Sequence, residues 1–488
     1  MKTLQPLIRH LGKNEIRLLR SYIAAKCTDS PNDKRLSLLE CILKSKNNDH
    51  NTIALLAGYK SAQDKAFVAL KLRLKEDVLD MLLLQEGGQA FETAFAQAAF
   101  DCRKMLIQGE LLQARGIYGA ASDLLEKALH LAKRYELHGE FLAIADVLRN
   151  HAAVTGDLET FGGLNELMDE VQAKHNRVLR AKQMHYEIVL PGLMNAETIR
   201  GYKIKGNGLL SKLENHGKRE SSSRIAFYHH LSALNFYSNL HEFPEALRFG
   251  QKLLKQVTDD PLMRSDANQA GVNMELAGVC LNTGDYEQAV KHAGAAVELF
   301  KPDMVNQMQA LIILFFAHFR NGDADSAQRV IAKAYGHKQA LAEPLLAARL
   351  HLMEAALLYS KKLLRDCARK LRLAQPLVKN SDVWFPGVFL IQSLNDLDME
   401  SYSLISARLS AFRKQAAKSG IAGNRNHTRL NSIVQFMSSV TKFKDIKHTL
   451  RKEKQEISLL RQASGDYYWN PAGYELIRFD DWIQSKAS

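Results

Sequence analysis

The stretch TGDYEQAVKHAGAAVELF, residues 283–300, narrows what this chain can fold into more than any other. A Gly-Asp corner leads into a helix-forming run in which Ala289, Ala293 and Ala296 recur at intervals of four and three, the spacing of one helix face. Packed helices lie about 8–10 Å apart, and the near end of that range is open only to small side chains at the crossing. Gly284 frees the backbone to turn, and Asp285 is placed to cap the helix that follows. The segment therefore asks for a partner helix at close range. One such hairpin cannot bury a core alone, so more of them are expected.

They recur in weaker form. RNGDADSAQRVIAKAYG carries Gly322, Asp323, Ala327, Ile331 and Ala334, and LHEFPEALRFGQKLL carries Phe243, Ala246, Gly250 and Leu253. ARGIYGAASDLLEKAL gives Gly116, Tyr118, Ala121, Leu125 and Ala128; VTGDLETFGGLNELM gives Gly156, Asp157, Leu158 and the larger Phe161 at the crossing position. Equivalent positions 121, 161, 246, 289 and 327 lie 40, 85, 43 and 38 residues apart. The gap of 85 leaves room for one more hairpin, KHNRVLRAKQMHYEIVLPGLMN followed by TIRGYKIKGNGLLSKLE.

This rhythm resembles the tetratricopeptide repeat, a helix–turn–helix unit of about 34 residues. In its register Leu276 and Ala277 are the hydrophobic and small residues of the first helix. Gly284, Asp285 and Tyr286 form the turn, and Pro302 lies near the terminal proline. Asn273 stands where a large aromatic is usual and Cys280 where tyrosine is common; spacings near 40 call for longer helices. The resemblance covers roughly residues 91–375. It implies an all-α chain, a right-handed α-α superhelix of hairpins. Further hairpins are expected in LAEPLLAARLHLMEAALLYSKK and LLRDCARKLRLAQPLVK, with Gln375-Pro376 marking a helix end.

Both flanks read as helical. In residues 1–90, NEIRLLRSYIAAK sets Ile16, Leu19, Ile23 and Ala24 on one stripe after Asn14 as N-cap, and DKRLSLLECILKS and TIALLAGY supply two more helices. A longer helix from about Ser61 to Gln85 carries Phe67, Leu70, Leu74, Val78, Met81 and Leu82 at helical period and stops at Gly87-Gly88. Residues 376–488 are expected to form a helical cap with a basic segment. Their Tyr- and Trp-rich tail, GDYYWNPAGYELIRFDDWIQSK, would cover the last exposed face, with one short helix from Tyr474 or Asp480 onward.

Several function classes find no support in the sequence. No phosphate-binding Gly-Lys-Ser/Thr loop, His-Glu-x-x-His, Gly-x-Ser-x-Gly or Cys-x-x-Cys occurs, so no enzyme, metal site or cofactor is expected. KGNGLL, at Lys205 to Leu210, falls between expected helices, and adjacent His229 and His230 project about 100° apart, a poor start for a shared metal. Neither Glu214 with Glu220 nor Asp480 with Asp481 is oriented as an acid pair by anything in the sequence. The N-terminus lacks the apolar stretch of a secretory signal, and the densest apolar run, LIILFFA, is far short of the roughly 20 residues of a bilayer span. Five scattered cysteines fit a reducing compartment, and cytoplasmic residence is expected.

What remains is surface recognition. A hairpin array offers a groove lined by its first helices, where Asn235, Asn239, Asn273 and His318 are candidates to meet a peptide backbone. The net charge of +13 gathers late: Arg408 to Arg461 holds thirteen Lys/Arg against three acids. Within it, Arg425, His427 and Arg429 in NRNHTR are candidates to bind an anion. The expected function is a non-catalytic scaffold or adaptor for a protein or peptide partner. A peptide-responsive regulatory receptor, and a nucleic-acid-associated protein using the basic zone, stand as alternatives.

Overall fold

The structure, a computed structural model, describes residues 4–26, 34–44, 50–84, 91, 93–194, 199–219, 222–337, 340, 343–379, 381, 383–418, 428–462 and 465–487. Among them every regular element is helical. The chain divides into two units, Met1–Phe91 and Glu92–Ser488.

The first unit holds α1 (Leu4–His10), α2 (Lys13–Lys26), α3 (Arg35–Lys44), α4 (His50–Leu56) and α5 (Lys65–Leu83). The expected stripes close its core: Leu19 and Ile23 of α2, Leu38, Leu39 and Ile42 of α3, and Phe67, Leu74, Val78 and Met81 of α5 are fully buried. Asp64 caps α5, its Oδ1 accepting from the Ala66 amide at 2.9 Å. Asn14 falls inside the first turn of α2 rather than at its cap, because the helix starts at Lys13. Asp77 is almost fully buried on α5, and its charge is met by Arg35 at 2.8 Å and Lys26 at 3.3 Å. The expected Gly87-Gly88 stop lies outside the described residues.

The second unit opens with α6 (Ala94–Ala114), α7 (Tyr118–Arg134), α8 (His138–Thr155), α9 (Leu158–Met194) and α10 (Ile199–Arg219). Five hairpins follow: α11 (Ser223–Asn239) with α12 (Phe243–Asp259), α13 (Asp266–Thr283) with α14 (Tyr286–Leu299), α15 (Val305–Arg320) with α16 (Ala324–Tyr335), α17 (Pro344–Ser360) with α18 (Leu364–Ala374), and α19 (Trp384–Asp398) with α20 (Tyr402–Lys418). The unit ends with α21 (Thr428–Phe443), α22 (Ile446–Lys452), α23 (Lys454–Leu459) and α24 (Phe479–Ala487). The helix end expected at Gln375-Pro376 is there: α18 stops at Ala374 and a 3-10 turn covers Gln375–Leu377.

Among the described residues of the second unit, one backbone turn is used eight times. A residue with φ between 49° and 79° sits at Gly116, Glu136, Gly156, His241, Gly284, Gly322, Lys362 and Glu400. The next residue's amide then donates to the carbonyl five positions back, as Asp285 does to Cys280 at 3.0 Å and Glu242 to Tyr237 at 2.8 Å. Four corners are glycine and four are not, which is why the sequence shows only some of them. The crossings behave as their size requires: Ala121, Ala246, Ala289, Ala293, Ala296 and Ala327 are all fully buried.

The extra hairpin expected between Gly156 and His241 exists, but its first helix is fused to the helix before it. α9 runs unbroken for 37 residues. No turn residue interrupts it between Leu167 and Leu190, and Gln172 with Asn176 and Gln183 with Glu187 bond one turn apart along its exposed side. Gly206 of KGNGLL lies inside α10, where a Cβ would overlap the Phe236 ring; it is a packing glycine.

Buried apolar residues between Ala270 and Ile483 form one continuous core, in which the helices after 376 are joined to the hairpins before them, while Val272, Leu276 and Val279 of α13 pack with the core of α9–α12. α19 is buried on nearly every side, from Pro386 to Leu397. Among the described residues no helix is long and apolar enough to cross a membrane.

Candidate functional site: the inner face and the C-terminal segment

First helices of neighbouring hairpins touch one another, α13 with α15 and α17 with α19, and so form the inner layer of the array. Residues 465–478 return across the ends of this layer. They contain only a single turn of 3-10 helix, at Gly465–Tyr467. At one end the Tyr468 ring packs tilted against His241 with ring centres 3.9 Å apart, and its hydroxyl donates to Asn282 at the end of α13. Further along, Arg320, the last residue of α15, donates to the Pro471 carbonyl from Nε and Nη2 at 3.0 and 2.8 Å and to the Leu476 carbonyl from Nη1 at 2.7 Å. Trp469 lies over the same guanidinium at 4.5 Å. Beyond it the Tyr474 carbonyl passes so close to Gly387 of α19 that a Cβ there would lie 2.7 Å from it. Trp482 of α24 then donates to Asp398 at the end of α19, which also accepts from Tyr359 at 2.7 Å.

The electrostatics follow from burial. Burial pushes the Arg320 guanidinium down to about 10, yet three bonds to carbonyls keep it in place as a clamp. Burial likewise raises the Tyr468 phenol and lowers the His241 imidazole, so both rings are neutral near pH 7. Arg349 of α17 is also pushed down to about 10 by burial and lies 4.6 Å over the Trp384 ring.

The expected site residues fall in different places. Asn239 is exposed at the end of α11, donates to the Tyr202 hydroxyl at 3.2 Å, and lines a cavity beneath Tyr468. Asn235 donates back to the Leu231 carbonyl of its own helix at 2.9 Å. Asn273 is nearly buried and spent on both sides: its amide donates to the Gln269 carbonyl, and its oxygen accepts from His292 at 2.7 Å. His318 sits at the α15–α16 corner, 3.3 Å from Asp323.

Arg425 and His427 lie outside the described residues. Arg429 points inward. Its five donors go to Glu475 twice, at 2.7 and 2.8 Å, to Asp480 at 2.6 Å, and to the carbonyls of Leu460 and Tyr467. Burial opposes its charge, but the two carboxylates more than compensate and raise its pKa. With every donor taken, it is a strut fixing the C-terminal segment and has none left for an outside anion.

Arg320, Tyr468, His241 and Glu275 were not singled out from sequence. A signal was present for two of them: Glu275 is a lone acid in the apolar run of α13, and Arg320 closes the LIILFFA helix with a charge.

Among the described residues, successive helix–turn–helix hairpins, one repeated corner and small residues at the crossings define the fold. The array is tetratricopeptide-like. No family model and no curated protein matches the chain. Among solved structures it is similar to a Signal Transduction ATPase with Numerous Domains (STAND) protein with a tetratricopeptide repeat sensor from Pyrococcus horikoshii, at 10% identity and a TM-score of 0.43. The match covers 89% of this chain and 66% of that one, so this chain spans less than two thirds of that structure.

Proposed function

We propose that this chain is a cytoplasmic, non-catalytic scaffold or adaptor that takes a peptide or protein partner on the inner face of its hairpin array. The observation that carries the reading is the segment 465–478. The array holds this largely non-helical stretch of its own chain through backbone carbonyls on Arg320 and ring contacts on His241. Backbone hydrogen bonds plus side-chain contacts are the means by which folded domains grip extended peptides.

The test is affinity capture with mass spectrometry, run with the unaltered chain and with Asn239→Arg, a change at an exposed position of the inner layer. A protein partner retained in high salt and lost with Asn239→Arg is the expected result. Partners indifferent to that substitution would move the binding surface elsewhere.

One observation favours a second reading. Lys442, Lys444, Lys447, Arg451, Lys452 and Lys454 are exposed together from the end of α21 to α23. Such a surface suits nucleic acid or an acidic partner, and affinity through it would fall steeply with salt. Co-purifying nucleic acid that is released by salt and lost on replacing Lys444, Lys447 and Lys452 by alanine would support it.

A further inference from the structure

Under Tyr468 lies a cavity of about 330 Å³. Its floor is α13, with Glu275, Gly278, Val279 and Asn282. One wall is the α11–α12 corner, with Asn239, His241 and Phe243, and the roof is Tyr468 and Asn470 of the C-terminal segment. Its size falls within the roughly 300–1,000 Å³ usual for small-ligand sites.

Glu275 is out of place in it. Its carboxylate is part-buried on the inner layer and, among the described residues, has no hydrogen bond and no ion pair, whereas acids buried more deeply elsewhere are met: Asp77 by Arg35, Asp396 by Arg408, and Glu475 and Asp480 by Arg429. Burial alone acts on it, raising its pKa, and no neighbouring cation offsets this. The other titratable groups of the lining, His241 and Tyr468, are both held neutral by burial. An uncompensated carboxylate beside aromatic rings is the combination that attracts an organic cation, through charge pairing and through the ring faces. Asn239 adds a carbonyl oxygen, its amide being engaged with Tyr202.

We propose that this cavity binds an organic cation, an ammonium or guanidinium group on a slim aliphatic stem, with Glu275 as the counter-ion and Tyr468 and His241 as the aromatic walls. Because Tyr468 and Asn470 belong to the C-terminal segment, a bound cation ties that segment to α13. The site is independent of the scaffold reading: it can bind its ligand whether or not a protein partner is found.

The experiment is calorimetric titration of the full chain with agmatine, with 1-butanol as uncharged control and an acetylated Gly-Arg-Gly amide as third probe. Agmatine is expected to bind saturably, 1-butanol not at all, and Glu275→Gln to weaken agmatine by about tenfold or more, as loss of a desolvated charge pair does. Tripeptide binding as tight as agmatine assigns the cation to a partner's side chain; tripeptide failure assigns it to a free small molecule. Glu275→Gln removes an unpaired, part-buried charge, so it is expected to melt at or above the temperature of the unaltered chain. Absence of saturable agmatine binding at millimolar concentration, equal binding by Glu275→Gln, or a lowered melting temperature in that variant would each overturn the proposal.

Discussion

The hairpin α13–α14 and the hairpin α11–α12 make the same turn with different residues. In the first, Gly284 takes φ 79° and Asp285 caps α14, accepting from the Gln288 amide at 3.1 Å. In the second, His241 takes φ 59°, and Glu242 makes no side-chain cap. The left-handed corner costs an ordinary residue about 1 kcal/mol or more, so glycine is the cheap choice. His241 offsets that cost with its ring, which packs against Tyr468 and holds the returning C-terminal segment. A corner used only for turning reads clearly in sequence, whereas a corner that also makes a contact loses its signature.

The largest effect is expected where a glycine serves packing. Gly206→Ala drives a Cβ into the buried Phe236 ring and should cost about 2–3 kcal/mol in a denaturant titration, against the usual gain of alanine in a helix. Its neighbour Gly208 has open space around it, and Gly208→Ala should stabilise by about 0.5–1 kcal/mol. Equal effects at the two positions would deny the close approach of α10 to α11.

Next come the corners. Gly284→Ala should destabilise by about 1–2 kcal/mol, through backbone strain alone. His241→Gly should change overall stability by less than about 1 kcal/mol, since relief of the corner and loss of the ring contact oppose each other. It should nonetheless speed proteolysis within 465–478. If both substitutions act alike, the histidine corner has no separate role.

A smaller, pH-dependent difference should separate the two regions. Burial depresses His138, His185 and His229 to about 4, and these lie in α8, α9 and α11. A depressed histidine contributes stability that is complete above its unfolded value near 6.5 and is lost as pH falls toward the folded value. Burial also lowers His292 of α14 and His351 of α17, but the three pushed to about 4 lie in α8–α11, so between about pH 6.5 and 4 amide exchange should rise more in α8–α12 than in α13–α20. Simultaneous loosening along the whole array would count against this placement of the histidines.

The contrast also explains what could be read in advance. Ala289, Ala293 and Ala296 announced their crossing because helix spacing and side-chain size are local properties. The fusion inside α9 was hidden, since whether a helix continues past Leu167 depends on what its far half packs against, here α10 and α11. Arg429 looked like part of a polar, anion-attracting turn because its partners, Glu475 and Asp480, are about fifty residues away in sequence. The tail was expected to cover an end of the array. Instead it crosses the helix ends of several hairpins, and nothing in its composition distinguishes a lid over one end of the array from a segment laid across those helix ends.

Hydrogen–deuterium exchange across residues 465–487, in the unaltered chain and in Arg320→Ala, tests most directly whether the hairpins stack into one body that grips its own C-terminal segment. The amides of Tyr468, Gly473, Leu476 and Phe479, each bonded within the docked segment, are predicted to be protected in the unaltered chain and to exchange much faster once Arg320 no longer holds Pro471 and Leu476. Exchange of these amides at the rate of an unfolded chain, already in the unaltered protein, would contradict it.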